Sequence, residues 1–230
     1  MNLSNIYLTF DIDWAQDNMM EPIFEELLKR RIKSTWFVTH ETPLLHIFRQ
    51  YSDLVDLGIH PNFLKGSTHG ESEEEILLNV AGLVPEAKVI RTHSVYQSGP
   101  LLSKIANLKS IELDSSIFLP EMSNIQPVKH LTPNGPLIRL PIFWADDYEL
   151  LKPQSDWTPE QYLKEEGHKV FLFHPVHLFL NASDFCDYES YKKSRPNSSP
   201  ARTGVMDFFL HLIDILDKTN VNPLFLRDVL

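Results

Sequence analysis

At 230 residues with 43% hydrophobic content, the chain is long enough to bury the core of one large α/β domain, and no Gly-, Ser- or Pro-rich stretch divides it. A formal net charge of −10 argues against nucleic acid and anionic membrane surfaces as partners, because both are held mainly by Lys and Arg. The lone cysteine, Cys186, excludes an internal disulfide. With no cationic start followed by an apolar run, and no stretch of 18 apolar residues, the expectation is a cytoplasmic protein without a membrane span.

The first element, Ile6–Trp14, alternates β-branched, aromatic and aliphatic residues and reads as a buried strand. Its carboxyl end carries Asp11 and Asp13, two positions apart, which in a strand face the same side. Two carboxylates so close repel unless a cation or a shared proton holds them. Apolar residues Ile23, Phe24, Leu27 and Leu28 predict a helix over Met19–Arg31, and a strand follows at 34–39. Next come a helix over Pro43–Tyr51, a short strand Leu54–Ile59 that delivers His60, and an acidic helix from Glu73 to about Ala81. A strand Ala87–Ile90 ends on Arg91, a helix covers Leu101–Leu108, and a strand Ser110–Leu113 ends on Asp114. Leu137–Phe143 and Lys169–Phe173 are further strands, the second running into His174.

The polar stretch Asn181–Gly204 reads either as a lid over a site or as an unrelated surface loop. Val205–Leu216 is an amphipathic helix, and Asn222–Leu226 a last short strand or extended tail. Repeated strand-then-helix order implies a parallel sheet. About seven strands with polar groups at their carboxyl ends suggest a barrel or open sheet with its site in the strand-to-helix loops.

Asp11 and Asp13, His60, Arg91 with His93, Asp114, and His174 with His177 would then share one edge of that sheet. Singly, each has a structural reading, since an imidazole at a strand end satisfies loop backbone well. Trp14 and Trp144 also fall at strand ends, where they could stack on a sugar or simply pack. Asp146 and Asp147 behind Trp144 could bind sugar hydroxyls.

These motifs, in this order, resemble the polysaccharide deacetylase family (the NodB-homology or carbohydrate esterase 4 fold), in particular a divergent branch associated with surface-polysaccharide biosynthesis. Thr9-Phe10-Asp11-Ile12-Asp13 is similar to the family's Thr-Phe-Asp-Asp, and Gly58-Ile59-His60 to its Gly-x-His. Arg91-Thr92-His93-Ser94 stands where the family has Arg-Pro-Pro-Tyr. Leu113-Asp114-Ser115-Ser116 matches Asp-x-Ser, and Phe171-Leu172-Phe173-His174 resembles Leu-x-His. The resemblance implies a distorted (β/α)7 barrel in one catalytic domain spanning 1–230, and a carbohydrate N-deacetylase that uses Zn²⁺ or another divalent metal. It makes Asp11 the base, Arg91 its partner and His174 the acid, with Asp13 and His60 as metal ligands.

The sequence departs from the family at the second motif, where the expected second histidine is Leu64. His69 is the substitute, brought back by a looped-out Pro61–Thr68, and Asn62 is the competing ligand or a substrate contact. His93, in a motif without its prolines, becomes a substrate contact, with His177, Trp14 and Trp144 beside it. Hydrolysis of another C–N amide bond, or an inactive carbohydrate-binding protein, are the competing functions, and the oligomeric state stays open.

Overall fold

The computed structural model describes residues 1–153, 155–194 and 202–230. Parallel strands alternate with helices through most of the chain: β1 (Ile6–Asp11), α1 (Asp17–Lys29), β2 (Ser34–Val38), α2 (Leu44–Gln50), β3 (Val55–Ile59), α3 (Glu73–Leu83), β4 (Val89–Ile90), α4 (Gly99–Asn107) and β5 (Leu113–Asp114). Then follow β6 (Val128–Thr132), β7 (Gly135–Arg139), β8 (Trp144–Ala145), α5 (Asp146–Leu150), β9 (Lys169–Phe173), α6 (Pro175–Leu180), α7 (Phe185–Ser194) and α8 (Val205–Lys218). Among the described residues the sheet has nine strands in the order β6-β7-β5-β4-β3-β2-β1-β9-β8, and only β6 and β7 pair antiparallel. No described helix is long and apolar enough to cross a membrane.

Backbone hydrogen bonds bring the two sides of this sheet together. Beyond β5, Ile142 N–H donates to Ile117 O (2.7 Å) and Leu119 N–H to Ile142 O (3.0 Å), while Phe143 N–H donates to Val170 O of β9 (2.9 Å). The ring β1-β2-β3-β4-β5-(β7/β8)-β9 is the distorted (β/α)7 barrel. Of the expected strand Leu137–Phe143 only residues 137–139 lie in a strand, the end of β7; Pro141, which has no N–H for the ladder, follows, and β8 begins beyond it at Trp144.

The hairpin of β6 and β7 was not anticipated, although its turn Thr132-Pro133-Asn134-Gly135 carries a turn signature, with Gly135 at φ +130°. Part of the polar stretch 181–204 forms α7, and its residues 195–201 lie outside the described ones. The tail after α8 runs extended before a short 3-10 turn, Leu226–Val229.

Local sequence explains the main helix starts. Ser72 and Ser98 accept from the backbone N–H of Glu75 and Leu101 (both 3.2 Å), capping α3 and α4, and Glu73, Glu74 and Glu75 favour the positive end of α3. Inside the barrel, Gly58 sits opposite Phe37 in the β2–β3 register, and a Cβ there would come 2.8 Å from the Phe37 ring. The absent side chain lets that ring lie 4.3 Å from the Arg91 guanidinium.

One buried carboxylate is poorly served. Asp56 of β3 is 4% exposed; its Oδ1 accepts from Arg227, and its Oδ2 has no hydrogen-bond partner among the described residues. Burial, reinforced by Asp228 and only partly offset by Arg227, pushes its pKa up to about 6. The unfolded value lies near 3.9, so the folded state holds the proton more tightly and loses stability as pH rises from about 4 to about 6. Asp56→Asn is therefore expected to raise stability at pH 7.5 by on the order of 1–2 kcal/mol and to have less effect at pH 4. Thermal unfolding at both pH values checks this, and a destabilised variant at pH 7.5 would contradict it.

Candidate active site

β1 is fully buried, and its last residue, Asp11, points into the barrel mouth at 3% exposure. The strand stops there, so Asp13 does not reach the same side by strand alternation. Asp13 and Trp14 instead adopt left-handed conformations (φ 39° and 59°), in a turn closed by Ala15 N–H to Ile12 O (2.6 Å). Ile12 goes into the core, and the two carboxylates converge on His60, whose Nε2 lies 3.5 Å from Asp11 Oδ2 and 3.2 Å from Asp13 Oδ1.

Arg91, fully buried at the end of β4, holds Asp11. Its Nη1 donates to Asp11 Oδ1 (2.8 Å) and Thr9 Oγ1 (2.9 Å), its Nε to Ser115 O (3.2 Å) and its Nη2 to Ser115 Oγ (3.1 Å). The Arg91 carbonyl accepts from His60 Nδ1 at 2.7 Å. A carbonyl can only accept, so Nδ1 carries a proton and Nε2 is the atom that faces the carboxylates, donating to them when protonated and free to ligate a cation when not. Such an arrangement calls for a cation between them. Burial alone would push His60 down, yet Asp11 and Asp13 outweigh it and hold the imidazole above its ordinary value.

His93 completes this group. Its Nδ1 lies 3.0 Å from Asp13 Oδ1, brought in by a turn in which Ser94 and Val95 have φ of 56° and 47° and His93 N–H donates to Pro61 O (2.9 Å). Asp13, His60 and His93 each present a ligand atom within 4.8 Å of the others. A carboxylate and two imidazoles converging on one point are a suitable donor set for Zn²⁺ or a similar ion. Burial alone would raise the Asp13 carboxyl, but hydrogen bonds to His60 and His93 and the nearby His174 take it well below its usual range.

The structure does not bring His69 to this group, which corrects the expected ligand set. The segment Pro61–Thr68 does loop out and return His69 to the barrel rim, but both ring nitrogens are spent on backbone there. Nε2 donates to Thr39 O (2.8 Å), and Nδ1 accepts from Asn62 N–H (3.0 Å). Burial lowers its pKa, in keeping with the neutral ring this pattern requires. Asn62 also turns away, its side-chain oxygen accepting from Leu64 N–H (2.9 Å). Beside Asp13 and His60 stands His93 instead.

On the opposite side of Asp13, His174 follows β9 and points Nε2 to within 3.6 Å of Asp13 Oδ2. Asp146, the fully buried first residue of α5, fixes it: His174 Nδ1 lies 2.6 Å from Asp146 Oδ1, and His174 N–H donates to Oδ2 (2.7 Å). Burial opposes protonation, but Asp146 holds the His174 imidazole well above its ordinary value, and the two histidines hold Asp146 well below its own. His177 Nδ1 lies 3.3 Å from the same carboxylate. The sequence signal for Asp146 was its place behind a strand, which had suggested a hydroxyl contact.

Both groups open into a cavity of about 480 Å³, lined by His93, His174 and His177 and closed by Phe118, Tyr148 and Tyr188. Trp14 stands beside it, 36% exposed, with its ring 5.3 Å from that of His69 and 5.5 Å from that of His93. Trp144 is not a sugar platform. It is 2% exposed and stacked on Phe208 at 4.4 Å, inside the core.

The model of the WbmS-like polysaccharide deacetylases matches residues 8–193. A crystal structure described as a polysaccharide deacetylase involved in O-antigen biosynthesis, from Bordetella bronchiseptica, is 30% identical, with 91% of this chain and 90% of that one covered and a TM-score of 0.79. Peptidoglycan deacetylase PdaC from Bacillus subtilis shares the fold at 12% identity and a TM-score of 0.51, over 100% of this chain and 92% of its own. The 4-alpha-glucanotransferase of Thermococcus litoralis also shares it (11%, TM-score 0.58), with 97% of this chain covering 37% of that one. No curated protein matches the chain in sequence. A family match over most of the length and a near-complete structural match at 30% identity lead to one conclusion: the chain belongs to the WbmS-like polysaccharide deacetylases.

Proposed function

We propose that this carbohydrate deacetylase is a single catalytic domain that removes the acyl group from an N-acetylated sugar of a surface polysaccharide or its precursor, with a divalent metal held by Asp13, His60 and His93. The observation that carries the reading is the fixed orientation of His60, whose Nδ1–H is held by the Arg91 carbonyl so that Nε2 faces Asp11 and Asp13 at 3.5 and 3.2 Å. Involvement in O-antigen biosynthesis, stated for the Bordetella relative, supports the substrate class. The lone Cys186 supports a reducing, cytoplasmic setting.

A Zn²⁺ or similar ion in this site would supply Lewis acidity, making water easier to deprotonate and polarising the amide carbonyl. The chain's own groups divide the proton work. Asp11, kept oriented by the Arg91 hydrogen bond at 2.8 Å, accepts the proton of the attacking water at Oδ2. His174, charged through its pairing with Asp146, gives its Nε2 proton to the departing nitrogen, so the sugar leaves as an amine and the acyl group as a carboxylic acid. Proton exchange with solvent then restores both groups. The apolar wall of the cavity limits water around these charges, which strengthens them.

Metal affinity separates the histidines. Asp13→Asn and His93→Ala should each weaken metal binding at least roughly tenfold, whereas His69→Gln should retain metal and lose about 1 kcal/mol of stability through its backbone bonds. Calorimetric metal titration checks this. Loss of metal in His69→Gln with retention in His93→Ala would reverse the assignment.

The second comparison concerns the base. Asp11→Asn should keep metal while turnover on an N-acetylated glycan drops by roughly 10² or more. Arg91→Ala should lower the rate while leaving the metal in place, because Asp11 then loses its fixed orientation. Full activity in Asp11→Asn would sink the mechanism.

A further inference from the structure

The turn that presents His93 is strained. Ser94 and Val95 both take left-handed conformations (φ 56° and 47°), and for a β-branched residue such as Val95 this backbone is costly. Strain of this kind persists only where the surroundings over-determine it. Within residues 92–97 the chain closes its own turn: Val95 N–H donates to Thr92 O (3.0 Å), Tyr96 N–H to His93 O (3.3 Å) and Thr92 Oγ1 to Tyr96 O (2.6 Å). These local bonds shape the turn but do not fix where it sits against Asp13.

Asp114, the last residue of β5, is not among the residues that line the cavity, yet each of its oxygens leads to one end of this turn. Oδ1 accepts from Ser116 N–H (3.1 Å) and from the Ser116 hydroxyl, and Ser116 Oγ in turn accepts from Thr92 N–H (2.8 Å). Oδ2 accepts from Arg139 Nε (2.7 Å), and Arg139 Nη2 donates to Gln97 Oε1 (2.7 Å). Asp114 and Ser116 are fully buried, Thr92 and Arg139 nearly so, and only the Gln97 end meets solvent. A buried ion pair that merely filled the core would do no better than an apolar pair of the same size. Here both partners reach past each other to the same turn.

We propose that the Asp114–Arg139 pair is a brace that positions His93: by gripping the turn 92–97 at both ends, it holds the left-handed Ser94 and Val95 in place and keeps His93 Nδ1 within 3.0 Å of Asp13 Oδ1. This rests on the reading of His93 as a metal ligand, and it gives Asp114 and Ser116 a task in that site. Asp114, Ser116, Arg139 and Gln97 are positioning residues that act through His93 alone.

Arg139→Ala would strand the buried Asp114 carboxylate and risks unfolding the chain, so the grip is released at its two ends with Ser116→Ala and Gln97→Leu together. Calorimetric titration with Zn²⁺ compares this double variant with wild type, and repeats the pair in a His93→Ala background. With His93 present, the double variant should bind Zn²⁺ roughly tenfold more weakly. With His93 replaced it should cause no further loss, because the brace works through that side chain. Gln97→Glu in place of Gln97→Leu, which keeps an acceptor for Arg139, should recover part of the affinity. Hydrogen exchange of the metal-free chain reads the grip independently. The amides of His93, Val95 and Tyr96, whose own bonds are untouched, should exchange at least roughly tenfold faster in the double variant, with those of β1 unchanged. Unchanged exchange at these three amides, an equal loss of affinity in the His93→Ala background, or no recovery with Gln97→Glu would each overturn the brace. So would wild-type affinity in the double variant where His93→Ala itself weakens binding. Faster exchange at the turn together with wild-type Zn²⁺ affinity in His93→Ala would support the brace while defeating the ligand reading.

Discussion

Two carboxylates crowded at the end of β1 impose the constraint on which the rest of the site depends. Asp11 is almost fully buried, and an isolated buried carboxylate would take up a proton or unfold its surroundings. Arg91 pairs with it at the expense of burying a second charge, and the structure offsets that with four hydrogen bonds from Arg91 and the Phe37 ring at 4.3 Å. The guanidinium thereby ties β1 to the residues following β4 and β5. Its own backbone carbonyl orients His60, so one residue positions both the Asp11 carboxylate and the neighbouring imidazole. Gly58 enters the same chain of dependence, because any side chain there would displace the ring that supports Arg91.

The charges at the barrel mouth fall into two sets joined across Asp13. On one side Asp13, His60 and His93 leave ligand atoms facing one another, an arrangement that a cation would complete. On the other, Asp146 satisfies His174 and keeps it charged, so this imidazole has a proton to give. His174 Nε2 lies 3.6 Å from Asp13 Oδ2, so the two sets meet at the cavity that both residues line. The Asp11 carboxylate and the His174 imidazole are thus held through different partners, Arg91 and Asp146.

Much of this was legible in the sequence because strand ends are local features. The apolar runs of β1, β3 and β9 ended on Asp11, His60 and His174 as expected, and Arg91 followed the short β4. What failed depended on backbone conformations that residue counting does not reveal. His69 has the right flanking sequence for a ligand, but it arrives where Thr39 O and Asn62 N–H claim its ring. His93 reaches Asp13 only because Ser94 and Val95 take left-handed conformations, and nothing in Arg91-Thr92-His93-Ser94 announces them. Trp144, at a strand end by sequence, proved to be core because β8 packs against α8 through Phe208. Pro141 was in view but was not used to divide the strand around it.

The central claim is that the third ligand has moved from the loop after β3 to the turn after β4. Anomalous diffraction from crystals loaded with Zn²⁺ tests it directly. The account predicts one strong peak about 2.0–2.2 Å from Asp13, His60 Nε2 and His93 Nδ1, with His69 still bonded to Thr39 and Asn62. A peak coordinated by His69, or no metal between Asp13 and His60, would contradict it.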